Sequence, residues 1–307
     1  IKNAMPAFDR EAFLAGRQSP VFFGSAINNF GVREILNTLV ELAPSPGSRK
    51  ALQREVSPAE NKFSAVVFKI QANMDPAHRD RVAFLRICSG HFQRGMKLKI
   101  CRNGKEVRTN NALSFLSQRR DILDEAFPGD IIGLPNHGLL RLGDTLTEGE
   151  QLQFTGLPFF APEIFRMVES ADPLRSKQLR TGLMQLGEEG AIQVFRPMTG
   201  GTMLLGAFGQ LQFEVVSHRL QTEYGAEVRL LPARYNLARW VSSDDPVALK
   251  KFIQENIHRM AEDVVGASVF LASHKSELDV AQQRWESIQF HALREHAGLI
   301  YQSDLAG

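Results

Sequence analysis

At Phe63 the apolar residues change period, and no helical spacing reappears before about Glu150. Phe63–Ile70, Arg81–Ser89, Lys97–Cys101 and Ile131–Leu134 read as strands. Turn signals separate them at Ser89-Gly90, Arg94-Gly95, Asn103-Gly104, Pro128-Gly129 and Asn136–Gly138. Asn-Gly is the strongest of these, because both residues tolerate the positive φ of a two-residue hairpin turn. Short strands with no helix between them must close up or stack to hide their edges. The spacing therefore predicts an antiparallel β-barrel or sandwich over residues 61–155.

Charge singles out the same segment. The whole chain carries 36 Lys and Arg against 34 Asp and Glu, a net of +2. Residues 61–120 alone hold 13 basic and 3 acidic side chains. Arg79, Arg81, Arg86, Arg94, Lys97, Lys99, Arg102, Lys105 and Arg108 all lie there. A field of one sign attracts a polyanion, and phosphate contacts give affinity without sequence readout. A solvated face neutralised by acids of a neighbouring domain is the competing reading.

The flanking segments follow other periods. Pro20–Phe23 reads as a short strand, Gly24–Phe30 as a loop and Val32–Leu42 as an amphipathic helix. Such a piece has no core of its own, so residues 1–42 are expected to pack on another body. Ala43–Glu60, rich in Pro, Gly and Ser, has linker composition. Residues 156–296 alternate strand and helix. Ile164–Glu169, a helix after Asp172-Pro173, Ala191–Phe195, Met203–Ala207, the Gly209–Glu223 helix and Glu227–Leu231 give the ferredoxin-like split order β-α-β-β-α-β. Ala238–Val241, a helix after Asp245-Pro246, Ser268–Ala272, the Glu277–Glu286 helix and Ile288–Leu293 form a second α/β unit, expected to extend the same sheet. Residues 297–307 are set apart as a tail.

No self-contained catalytic centre is visible. No G-x-x-x-x-G-K-[ST] occurs, so there is no phosphate-cradling loop. Asp130–Gly133 and Asp263–Gly266 match D-x-x-G, but without that loop they read as a barrel turn and a helix end. Cys88, Cys101, His78 and His91 fit no zinc spacing, and no metal site is expected. Glu188-Glu189 and Asp244-Asp245 fall at turns and caps, which account for their charge. Two cysteines exclude a disulfide scaffold and point to a reducing, cytoplasmic setting. No apolar run reaches the ~20 residues of a membrane span, and Ile1–Asp9 lacks the apolar stretch of a secretion signal.

Several segments then resemble one family. Ile70-Gln71-Ala72-Asn73-Met74-Asp75-Pro76-Ala77-His78-Arg79-Asp80-Arg81-Val82-Ala83-Phe84 looks like the barrel opening of the bacterial class II peptide chain release factors (release factor three). Ala161–Phe165, Glu188–Ala191, Val194–Pro197 and Ala238–Val241 are similar to the same family, and the resemblance runs through nearly all of Ala7–His296. Phe208–Val216 is also similar to the third-domain signature of ribosomal translocases, where a Glu and a His usually stand in place of Gln210 and Gln212.

The resemblance implies a translational-GTPase domain II barrel followed by the α/β domain. It implies GTP-dependent binding to the ribosome that releases and recycles class I release factors after peptide release. The expected partners are thus the ribosome, its RNA and proteins, and functionally a class I release factor; no membrane is expected, and the protein is expected to be a monomer. GTP or GDP with magnesium is the cofactor implied for full-length members, and none is expected for this chain. Residues 1–42 resemble the last part of the family's nucleotide-binding domain, with Ser25 and Ala26 in the loop that approaches the guanine base. Arg79, Arg81, Arg86, Arg94, Lys97 and Lys99 are the candidate RNA contacts. A translocase-type elongation factor fragment, or a stand-alone RNA-binding adaptor without GTPase activity, is the alternative; the former is expected to carry two more domains after the α/β unit, and the latter has no use for the Pro20–Leu42 strand, loop and helix. A base-edge loop cannot replace phosphate-cradling amides, a lysine and magnesium. Calorimetry of this chain with GTP is expected to show no micromolar affinity, and a saturable micromolar isotherm would contradict that.

Overall fold

The computed structural model describes residues 7–72, 81–116 and 119–295. The chain divides into two compact units, Ile1–Ser48 and Arg49–Gly307. In the first, Asp9 caps the short Arg10–Leu14 helix, its Oδ1 accepting the Glu11 N–H at 2.8 Å. The Val32–Leu42 helix has the bounds expected from its spacing. Neither helix buries a residue, and Leu39 and Val40 are 61% and 85% exposed. Pro20–Phe23 is not a strand: the nearest sheet-like pairing is the isolated bridge Ser25↔Phe30. An extended segment becomes a strand only when a partner pairs with it, and no described segment of this unit does so.

The barrel region holds an eight-stranded antiparallel sheet. Its order is Glu106–Arg108, Lys97–Ile100, Thr145–Thr147, Ser64–Ala72, Arg81–Ser89, Ile131–Pro135, Leu113–Leu116, Arg119–Ile122. The sheet curls round one core that collects Ala65, Val67, Ala83, Leu85, Ile87, Leu98, Ile100, Ile132 and Leu146 from its strands. Period two places these side chains inward and leaves Lys97 and Lys99 on the outer face. Asn103-Gly104 makes the expected hairpin: Gly104 has φ +70° and its N–H reaches Ile100 O at 2.8 Å. Glu106–Arg108, Leu113–Leu116, Arg119–Ile122 and Thr145–Thr147 are strands that the sequence pattern did not reveal.

Linker composition over 43–60 does not mean a free tether beyond Ser48. Arg49–Lys50 pairs with Glu55–Val56, and Ala51 bridges Phe154. Val56 joins Val66, Cys88, Leu152 and Phe154 in a second core on the outer face of the sheet. Arg54 fastens this wrap, donating to both Glu60 and Glu150 at 2.8–2.9 Å. Hydrogen bonding to Arg54 lowers both glutamate pKa values.

The C-terminal region is built on a second eight-stranded sheet, ordered Val228–Pro232, Ile164–Ser170, Leu204–Ala207, Gln193–Pro197, Met260–Glu262, Ser268–Ala272, Leu237–Ser242, Gln289–His291. The first four strands are in the ferredoxin-like order of fourth, first, third, second. Arg196↔Glu262 and Pro197↔Ala261 join the second unit to them, so one sheet continues through both. Asp172 and Asp245 cap their helices as expected, accepting from Leu174 and Val247. Leu179, Leu183 and Leu186 of the Ser176–Glu188 helix, and Phe213, Val216 and Leu220 of the Gln210–Tyr224 helix, share one core. The last expected strand divides: Gln289–His291 stays in the sheet, while Leu293–Glu295 leaves to pair with Pro158–Phe160.

A buried ion pair holds that departure. Arg294 and Asp263 are 1% and 2% exposed, and Nη2 lies 3.0 Å from Oδ2. The same Oδ2 accepts Arg294 Nε and Trp240 Nε1, while Oδ1 accepts the Val265 and Ala267 N–H groups. Asp263 is thus the hub of a hairpin turn, not the helix end expected from D-x-x-G. The guanidinium also faces Phe159, 4.4 Å from its ring centroid.

Two outcomes are expected. Asp263→Asn removes the buried carboxylate that Arg294 meets at 3.0 Å and should cost about 3–5 kcal/mol of stability; a loss below about 1 kcal/mol in urea unfolding, followed by tryptophan fluorescence, would refute the role given to the pair. Arg54→Gln should cost about 1 kcal/mol at neutral pH, the pair being partly solvated. Because Glu60 and Glu150 are depressed in the folded state, their contribution is complete above the unfolded glutamate value of about 4.3 and is lost as pH falls through the lower folded values. The stability gap between Arg54→Gln and the parent should therefore close in acid; a gap independent of pH would be the contrary result.

Candidate nucleic-acid interface

The outward positions of the barrel carry the basic side chains, and the sheet does not gather them into one place. Lys97 and Lys99 sit on the Lys97–Ile100 strand, while Arg81 and Arg86 sit on Arg81–Ser89, with two other strands between. Arg94 follows the short Phe92–Gln93 strand. Arg79 and His78 lie outside the described residues, as does the tail.

Internal partners sort the candidates. Arg81 reaches Glu188 of the C-terminal region at 3.3 Å, and its side chain is mostly buried. Arg94 lies 3.3 Å from Asp124 with both side chains largely in solvent. Such a pair is worth at most about 1 kcal/mol and exchanges readily for another anion. Arg102 grips buried Asp144 with two bonds of 2.6 and 2.9 Å, and this raises the arginine's pKa further. Arg86, Lys97, Lys99, Lys105 and Arg108 form no ion pair among the described residues.

The hairpin at the edge of the sheet gathers most of this uncompensated charge. Lys97 stands directly opposite Arg108, and Lys99 opposite Glu106. Cross-strand partners have Cβ atoms about 4.5–5.5 Å apart, so Lys97 and Arg108 repel. An anion placed over them removes that repulsion. The chemistry offered is phosphate contact without base readout.

Other expected features resolve into structural roles. Glu188 and Glu189, expected at a turn or cap, both face arginines: Glu188 meets Arg81, and Glu189 meets Arg219 at 3.0 Å. Burial raises the Glu189 pKa, and Arg219 only partly offsets it. Sequence separation hid these pairs; the arginines lie on other elements. Cys88 is buried and its thiol is pushed up to about 11, which makes it a poor nucleophile. His91 stacks on Phe127 and meets Glu125 at 3.2 Å. No group of three His, Cys, Asp or Glu that could hold a metal occurs among the described residues.

The nucleotide-related candidates lie in the first unit. Ser25 exchanges two backbone bonds with Phe30, 2.9 and 3.0 Å, closing a short loop. The Ala26 N–H has no acceptor among the described residues. Asp130 Oδ2 accepts the Phe127 N–H within a turn, and Asp263 is buried against Arg294, so both D-x-x-G aspartates take part in turns of the fold.

Known proteins share both the sequence and this geometry. Residues 62–149 match the profile described as elongation factor G domain 2, and residues 154–282 match class II release factor RF3, C-terminal domain. The chain is 68% identical over 303 residues to peptide chain release factor 3 of Nitrosomonas eutropha and 66% identical over 302 residues to that of Bordetella pertussis. These alignments cover 99% and 98% of the chain, and 57% and 56% of the relatives. A crystal structure of a Thermus thermophilus protein superposes with a TM-score of 0.59 over 77% of the chain and 34% of its own length, at 25% identity. No described helix is long and apolar enough to cross a membrane. The barrel of domain II type, the ferredoxin-like sheet beside it and identity along the whole length agree: the chain belongs to the peptide chain release factor 3 family and spans a little over half the length of the curated relatives it matches.

Proposed function

We propose that this chain is the ribosome-docking part of a translation termination factor that acts in the cytoplasm. The observation that carries the reading is the edge hairpin, with Lys97 opposite Arg108 and no acid bonded to either among the described residues. Its partner is ribosomal RNA, met through backbone phosphates, with Arg86, Lys99 and Arg94 as further contacts. Arg79 and Arg81 complete the candidate set, Arg81 through its position beside the C-terminal region. In the full-length protein, GTP or GDP with magnesium supplies the difference between a docked and a departing state, and Ser25 and Ala26 border the guanine base. The division into residues 61–155 and 156–296 is the division of labour: the barrel docks, and the α/β domain moves the class I release factor off the ribosome. A ligand shifts a two-state equilibrium only by its differential affinity for the two states, so the barrel must make different contacts in each. The protein works as a monomer.

Charge reversal in the full-length protein tests this. Lys97→Glu with Lys99→Glu should weaken ribosome association at least tenfold at low salt. It should also flatten the dependence of log affinity on log salt by about 0.7–0.9 for each phosphate that is no longer neutralised. Unchanged affinity and slope would return these lysines to the role of solvated outer face.

A further inference from the structure

The barrel and the C-terminal region, both in the second unit, enclose a cleft of about 380 Å³. That volume lies within the range of small-molecule sites, which favour domain junctions. Leu142 and Leu152 line it from the barrel side, and Phe159, Val264 and Val265 from the other. Its walls are set by close contacts. Leu142 Cδ1 would be 3.2 Å from a Cβ added at Gly190, and Val264 Cγ1 would be only 2.5 Å from one at Gly187, so the barrel loop and the Val264 turn both sit against the end of the Ser176–Glu188 helix.

The charges around the cleft do not cancel. Arg102 is neutralised by Asp144, Arg294 by Asp263 and Glu188 by Arg81. Arg141 also lines the cleft, is exposed, and forms no ion pair among the described residues. We propose that the cleft binds a small amphipathic organic anion, a flat apolar body carrying one carboxylate or sulfonate. The apolar body lies among Leu142, Leu152, Phe159, Val264 and Val265, and the anionic group meets the Arg141 guanidinium. Such a ligand touches both regions at once and holds the barrel against the C-terminal region. The proposal is independent of ribosome binding and is tested without it.

The probe is 8-anilinonaphthalene-1-sulfonate, titrated into the 307-residue chain and followed by its fluorescence, with uncharged 1-anilinonaphthalene in parallel. One saturable site is expected. Arg141→Gln should weaken the sulfonate at least tenfold and leave the uncharged analogue within about twofold. Val265→Trp should fill the cleft and abolish both; Val265 is 38% exposed, at the rim, so the substitution is compatible with folding, checked by circular dichroism. Absence of saturable binding, several equivalent sites, or a site unaffected by both variants overturns the proposal. So does loss of the signal on Leu211→Gln, which would place the probe on the exposed apolar stripe of the Gln210–Tyr224 helix instead.

Discussion

A guanidinium taken fully out of water has to bring its partners with it, and Arg294 decides how the C-terminal half of this chain is joined. A lone buried charge costs several kcal/mol. Arg294 avoids that by meeting Asp263, which is held in turn by Trp240 and two backbone amides. The next residue, Glu295, accepts the Gly156 and Leu157 N–H groups, where the chain leaves the barrel. The hairpin turn, a central strand, the exit from the barrel and the last described strand therefore converge within two residues. The cleft between barrel and α/β domain is built around that fixed point, with Arg294, Phe159 and the Val264-Val265 turn in its wall.

The basic character of the barrel has two components that a count along the chain merges. Arg102 and Arg81 are engaged by Asp144 and Glu188, and they hold structure. The edge hairpin does not neutralise itself: Lys97 and Arg108 face each other, and only Lys99 has an acid opposite, Glu106. Charged edge strands also deter sheet-to-sheet association. The same lysines thus protect an edge and offer a polyanion surface. The proposed function rests on this part of the charge, which is smaller than the sequence total over residues 61–120.

Legibility in the sequence followed the range of the interactions. Val32–Leu42, Arg81–Ser89 and Ser268–Ala272 have the expected bounds because local period and turn residues settle them. The caps at Asp172 and Asp245 were legible for the same reason. Thr145–Thr147 and Met260–Glu262 were not; strands this short carry no period, and their sheet neighbours supply the structure. Pro20–Phe23 shows the converse, a strand-like sequence without a pairing partner among the described residues. Among site residues, the outward direction of Lys97 and Lys99 follows from alternation alone. The engagement of Arg81 by Glu188, 107 residues away, does not, and neither does the hub at Asp263, whose D-x-x-G pattern suggested something else.

The junction between barrel and α/β domain is bonded only in part among the described residues. Arg81 Nε and Glu189 Oε1 are both buried without a hydrogen-bond partner among the described residues, although Arg81 already lowers the Glu189 pKa through its charge. Burial raises Glu189, and Tyr224 beside it is pushed up to about 12. A polar network with unmet donors and acceptors is weaker than a fully bonded one, and each orphaned group retains an unmade interaction. Arg81 has two acids within reach of its charge and a bond to one of them. The fold thus sets a fully buried ion pair at the barrel exit and a partly bonded contact at the end of the Ser176–Glu188 helix.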